Sequence, residues 1–158
     1  MAALGAFSSE RPFSVILSDF VFTPTERESA MPLVRIDIAK GHPPGFGRAV
    51  GEIVYRAMLS EISVPADDKF QIISTHEADE INIPHSYLGI EYSAGIVFIQ
   101  ITLNQGRTTE LKKKFYQRIA DDLSAELGIR KQDVFISLIE VNKENWSFGN
   151  GEMQYGPA

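Results

Sequence analysis

Two segments of this chain carry the same order of patterns: an apolar strand, a helix with one apolar stripe, and a turn into a second strand. In the first, Leu33 to Ile38 alternates in polarity and is β-rich, and Gly41-His42-Pro43-Pro44-Gly45 ends it. Phe46, Val50, Ile53, Val54, Ala57, Met58 and Ile62 then recur at helical spacing. Ser63 to Asp68 forms the turn into a second strand, Phe70 to Thr75. In the second, Gly95 to Leu103 is almost continuously apolar, the pattern of a strand buried on both faces. A helix over Thr108 to Leu127 follows, with Leu111, Phe115, Ile119, Leu123 and Leu127 on one stripe and Gly128 as its stop. The strand Asp133 to Leu138 matches Asp68 to Ile73 at the same point after its helix, and Glu77 to Ser93 reads as irregular.

Two β-α-β units in tandem require parallel strand pairs joined by right-handed crossovers. The predicted fold is therefore α/β, a two-layer sandwich in which a four-stranded sheet carries both helices on one face. The other face is left bare and has to be covered, and self-association is the simplest cover. At 158 residues the chain suits one domain, a size that buries roughly 68–70% of the unfolded surface.

Charge and composition remove several functions. A net charge of −6 argues against a general nucleic-acid or anionic-membrane surface. With no cysteine, there can be no disulfide, thiolate nucleophile or zinc-thiolate site, which suits a reducing, cytoplasmic setting. No apolar run reaches the ~18 residues of a spanning helix. His76, Glu77, Asp79, Glu80 and His85 match no closed metal motif and read as a solvated acidic loop, so no metal is expected. Gly149-Asn150-Gly151 lacks the lysine and strand-to-helix setting of a phosphate loop, and there is no serine nucleophile elbow.

Residues 1–31 differ from the rest and form a leader or arm ahead of a single domain over 32–158. The leader makes a poor signal peptide, because it lacks a basic amino end and Asp19 interrupts its apolar stretch. It is either absent from the working protein or an arm that adds a strand or packs on a neighbour. The boundary matters chemically. If the chain begins at Pro32, that residue is a secondary amine able to exchange protons; if the bond to Met31 is intact, it is a tertiary amide with no usable basicity.

Pro32 opening the first strand, Asp68 after the first helix, Gly106-Arg107-Thr108 opening the second, Phe115-Tyr116 and Asn145-Trp146-Ser147-Phe148-Gly149-Asn150-Gly151 resemble the tautomerase superfamily, most closely its malonate semialdehyde decarboxylase branch. The resemblance runs from Pro32 to about Tyr155. It implies a tautomerase (MIF-like) fold, a homotrimer with the amino-terminal proline at the floor of a pocket near a subunit boundary, and no cofactor.

It also implies roles. Pro32, Asp68 and Arg107 become the catalytic candidates, and Gln105, Trp146, Phe148 and Tyr155 the substrate-binding ones. A proline amine has a pKa that burial and nearby cations can poise for acid or base work. Arg107 stands at a helix start, where a cation opposes the macrodipole unless an anion is shared with the free amides; pairing with Glu110 is the plainer alternative. Asp68 would assist with water or orientation, although Asp133 occupies the same place in the second repeat, which favours a turn-capping role. Trp146, Phe148 and Tyr155 would form an apolar wall that strengthens ionic contacts, or simply core or interface. The decarboxylase branch carries an arginine where this chain has Gln105, which polarises a carbonyl without charge and so weakens the case for decarboxylation. The expectation is an enzyme acting on a small 2-oxo or 3-oxo acid by tautomerisation, hydration or decarboxylation. The rival is a catalytically silent oligomer in which the leader blocks Pro32 and the pocket only binds or scaffolds.

Overall fold

A computed structural model describes residues 31–155, so the expectations for the leader, residues 1–30, lie outside the described residues. The order of elements is β1 (Leu33–Ala39), α1 (Phe46–Ile62), β2 (Phe70–His76), β3 (Ser86–Tyr87), β4 (Ile90–Glu91), β5 (Val97–Asn104), α2 (Thr109–Leu127) and β6 (Val134–Val141). Strands β2-β1-β5-β6 form one sheet. Within each repeat the pairing is parallel, β1 with β2 and β5 with β6, while β1 and β5 meet antiparallel at the centre. The segment expected to be irregular contains the short hairpin β3–β4, whose turn places Leu88 and Gly89 at positive φ.

Both helices lie on one face. Val34, Ile36 and Ile38 of β1 and Val97, Ile99, Ile101 and Leu103 of β5 are buried in one cluster with Val50, Ile53, Val54, Ala57, Met58 and Ile62 of α1 and Phe115, Ile119 and Leu123 of α2. The helix stripes predicted from periodicity are therefore the ones that face the core, with Phe46 and Leu127 at the helix ends partly buried and Leu111 in the first turn of α2 exposed. Gly51 lets α1 sit close to β2, since a Cβ there would come within 2.6 Å of Gln71 Oε1. The Gln71 amide instead donates to the Gly51 carbonyl at 2.9 Å. At the start of α2, Thr108 accepts the Leu111 amide on its hydroxyl, and Gly128 at φ 68° closes the helix in the left-handed conformation.

Among the described residues nothing covers the opposite face, and this corrects the expectation that β5 is buried on both sides. Gln100 on that side is exposed, while Phe98 and Thr102 are only half-buried. Phe70, Ile72, Phe135 and Ile139 share the face and are 50, 42, 43 and 39% exposed, large values for apolar groups on a sheet. Polar side chains interrupt them, because Arg35, Gln100 and Ser137 fall in one row by register. Among the described residues no helix is long and apolar enough to cross a membrane.

Candidate active site

The starts of β1 and β2 and the ends of β5 and β6 come together at one end of the sheet. Continuing the β1–β2 ladder two residues back from Leu33–Phe70 brings Met31 opposite Asp68. Continuing the β1–β5 ladder from Leu33–Thr102 brings Met31 opposite Asn104. With side chains alternating between faces, Met31, Asp68 and Asn104 belong to the bare face. The sheet thus delivers residues distant in sequence to both sides of the bond before Pro32.

A cavity of about 230 Å³ opens at this point, lined by Met31, Pro32, Leu33, Phe70, Trp146, Ser147 and Phe148. Pro32 is buried. Trp146 and Phe148 stack with ring centres 5.5 Å apart, and Tyr155 meets Phe148 edge-on at 5.3 Å. The carboxyl-terminal segment therefore folds back as an aromatic wall over the start of β1. Its reverse turn is tied by Gln154, whose side chain accepts from the Phe148 amide and donates to the Gly149 carbonyl, both at 2.9 Å.

Arg107 is half-buried, and its guanidinium donates to the backbone carbonyl of Asn104. Burial lowers its pKa from the ordinary arginine value, while the charge of Glu140 acts in the other direction. The chain itself supplies an anion at this helix start. Lys112 Nζ bonds Glu140 at 2.6 Å and, with the backbone amides of Arg107 and Gly106, holds the Glu140 carboxyl below its usual range. Glu110 pairs with Lys113 at 3.0 Å.

Asp68 lies in the turn before β2, two residues from the cavity-lining Phe70, and is half-buried. Among the described residues no group donates a hydrogen bond to its carboxylate, and burial followed by the charge of Asp67 raises its pKa. Gln105 does not join the cavity. It is exposed on an adjoining cleft of about 310 Å³ with Asn104, Val141, Asn142, Lys143 and Glu144, and its backbone N–H donates to the Val141 carbonyl at 3.0 Å.

One residue that the sequence did not single out connects these parts. Asn104 is 2% exposed, accepts the Trp146 indole N–H on Oδ1 at 2.8 Å, and offers its carbonyl to Arg107. Its signal was faint: a polar side chain closing an otherwise apolar strand, where a buried amide is uncommon. At the far end of the sheet, His76 Nε2 lies 2.7 Å from Asp37, which makes that histidine part of a side-chain pair rather than of a solvated loop.

The fold and this proline-and-aromatic cavity define a tautomerase-like protein, and comparison with known proteins agrees. The family model for tautomerase enzymes matches residues 68–149. Bacillus subtilis (strain 168) has a relative described as probable tautomerase YusQ, 41% identical over 124 residues, which are 78% of this chain and 98% of the relative. A malonate semialdehyde decarboxylase inhibited by 3-bromopropiolate superposes with a TM-score of 0.71 at 34% identity, over 78% of this chain and 93% of that one. A fused 4-OT solved as a symmetric trimer superposes with a TM-score of 0.63 at 25% identity, over 76% and 94%. The chain belongs to the tautomerase family.

Proposed function

We infer that this protein is a cofactor-free enzyme of small 2-oxo or 3-oxo acids, working through Pro32 as an amino-terminal acid or base. The observation that carries the reading is the cavity whose wall includes both Pro32 and the Trp146–Phe148 stack. A proton carried by the Pro32 amine would be exchanged with a substrate held in a largely apolar space. Arg107 would hold the substrate carboxylate, for which its planar fork is suited. Asp68, whose carboxyl pKa is raised by burial and by the charge of Asp67, would orient the reacting group or a water.

Tautomerisation or hydration is favoured over decarboxylation. Gln105 brings no charge and stands on the adjoining cleft, so one cation rather than two is available to a developing oxyanion. Assembly as a homotrimer is part of the proposal, supported by the exposed apolar residues of the bare sheet face and by the trimeric fused 4-OT. A cytoplasmic setting fits a chain without cysteine.

The second reading is the silent oligomer, and Met31 favours it, since in the full chain this residue lines the cavity and acylates the Pro32 nitrogen. Two measurements separate the readings. Intact mass of the natural protein shows whether it begins at Pro32. Ketonisation of phenylenolpyruvate by a chain begun at Pro32, compared with the full chain, shows whether the amine does the chemistry.

A further inference from the structure

We propose that Asn104 is a substrate-binding residue whose side-chain NH2 donates to the 2-oxo oxygen of the acid, while Arg107 takes the carboxylate. The inference rests on the oxo-acid reading above and deepens it.

The starting observation is an imbalance between two buried polar side chains. Asp133 and Asn104 are each 2% exposed. Asp133 is satisfied, since its carboxylate accepts the Ser93 amide and hydroxyl, each at 2.7 Å. Asn104 is not, because its Nδ2 is a buried donor with no hydrogen-bond partner among the described residues. Buried donors are nearly always paired, so an orphan of this kind calls for an explanation.

The amide cannot simply be turned over. Trp146 Nε1 carries a hydrogen and can only donate, so the atom 2.8 Å from it has to be Oδ1. That contact points Nδ2 away from the indole, and Arg107 holds the same residue from below through the backbone carbonyl. The donor is thus fixed in orientation before anything binds.

Its chemistry selects the ligand atom. An NH2 beside a guanidinium repels cations and accepts nothing, so the missing partner is an acceptor oxygen. Of the two acceptor groups of an oxo acid, the charged carboxylate suits the guanidinium, and the neutral carbonyl suits the neutral amide. Asn104 lies opposite Met31 by the β1–β5 register, beside the space that opens when the chain begins at Pro32. It also borders the cleft through which the exposed Gln105 faces solvent. The carbonyl-polarising role that sequence reading gave to Gln105 therefore passes to its neighbour.

Trp146 is the single tryptophan of the chain, so its fluorescence reports occupancy of this cavity alone. The experiment titrates phenylpyruvate and 3-phenylpropionate, which share a carboxylate and differ in the 2-oxo group, into the full chain and into the chain begun at Pro32. We expect phenylpyruvate to bind roughly tenfold more tightly, a preference worth one neutral hydrogen bond. Asn104→Asp keeps the acceptor for Trp146 and removes the donor, and Asn104→Ala removes both. In each variant the preference should collapse to within twofold, and because both ligands carry the same charge, a new carboxylate at position 104 cancels in the ratio. Melting temperature measured alongside shows that the Asp variant remains folded. A preference unchanged in the Asp variant, no preference in the wild type, or no saturable binding in either form overturns the inference. Failure of the proline reading looks different: phenylpyruvate would still bind with the expected preference, yet phenylenolpyruvate would not be turned over faster when Pro32 is free.

Discussion

The two β-α-β repeats place an aspartate at the same point, just before the second strand, and use it in opposite ways. In the second repeat, Asp133 is buried, accepts two hydrogen bonds from Ser93, and has the guanidinium of Arg130 at 3.6 Å. It pins the segment before β5 to the turn before β6. In the first repeat, Asp68 is half-buried, receives no such donors among the described residues, and has a raised pKa. Burial without compensation costs stability, and a fold tolerates that most readily where the group serves chemistry. The comparison teaches that duplication preserved the geometry of the turn while only one copy was secured.

A wider asymmetry follows the same line. The first repeat brings the proline to the cavity, and the second brings Asn104 and Arg107 on the way into α2. Under the proposed function neither repeat would hold a complete site, because the acid–base group and the anion-binding group would come from different copies joined at the central antiparallel pair, β1 and β5.

The largest effect should come from the bond before Pro32. Freeing the amine should raise phenylenolpyruvate ketonisation by about 10²–10⁴-fold over the full chain, the usual worth of general acid–base catalysis. Pro32→Ala in the freed form should keep part of this, since a primary amine still exchanges protons. Equal rates in full and freed chains would show that the first repeat contributes no catalyst. Next, Arg107→Ala should lose about 2–5 kcal/mol in kcat/KM for a 2-oxo acid, as when one partner of a desolvated charge pair is removed. Arg107→Lys should recover only part of it, for want of the bidentate fork. An unchanged kcat/KM would return Arg107 to a purely structural role at the start of α2.

The aspartates test the comparison directly. Asp133→Ala should destabilise the fold by about 1.5–3 kcal/mol, the cost of removing a charged acceptor from buried donors, measured by denaturant unfolding. Asp68→Asn should cost nothing at neutral pH or should stabilise. The smallest effect is the pH dependence. The raised pKa of Asp68 means that the folded state holds its proton more tightly than the unfolded chain. Its favourable contribution is present below the unfolded carboxylate pKa and is lost as pH rises through the folded value. Glu140 runs the other way: with its pKa lowered, its contribution is present above the unfolded value and is lost as pH falls through the folded one. Asp68→Asn should therefore make the mildly acidic branch of the stability curve steeper in its rise with pH, and Glu140→Gln should make it shallower. Identical curves for the two variants would remove the distinction drawn here.

Much of this molecule was legible in the chain. Periodicity of 3.6 gave α1 its bounds, and α2 differs from the expected helix only in that Thr108 caps it rather than joins it. The polarity of β5 misled, because a run of apolar and β-branched residues does not say whether a strand's second face meets protein or solvent in the isolated chain. The hairpin at 86–91 went unseen, since strands of two residues are too short to show alternation. Within the site, Pro32, Trp146 and Phe148 were found from local motifs and do share a cavity, with Tyr155 packed on it. That Gln105 is exposed while its neighbour Asn104 is buried could not be read from the chain, because a linear pattern cannot show which of two adjacent polar residues turns inward.

The amino-acid sequence by itself determined the repeat, the helix stripes, the strand order within each β-α-β unit and the family, because these depend on spacing and on residue type, which are local. Only the tertiary structure decided which aspartate is satisfied, which anion sits at the start of α2, and which of the adjacent amides, Asn104 and Gln105, is buried. Those outcomes depend on pairing across the sheet, where one residue of register exchanges the buried face for the exposed one.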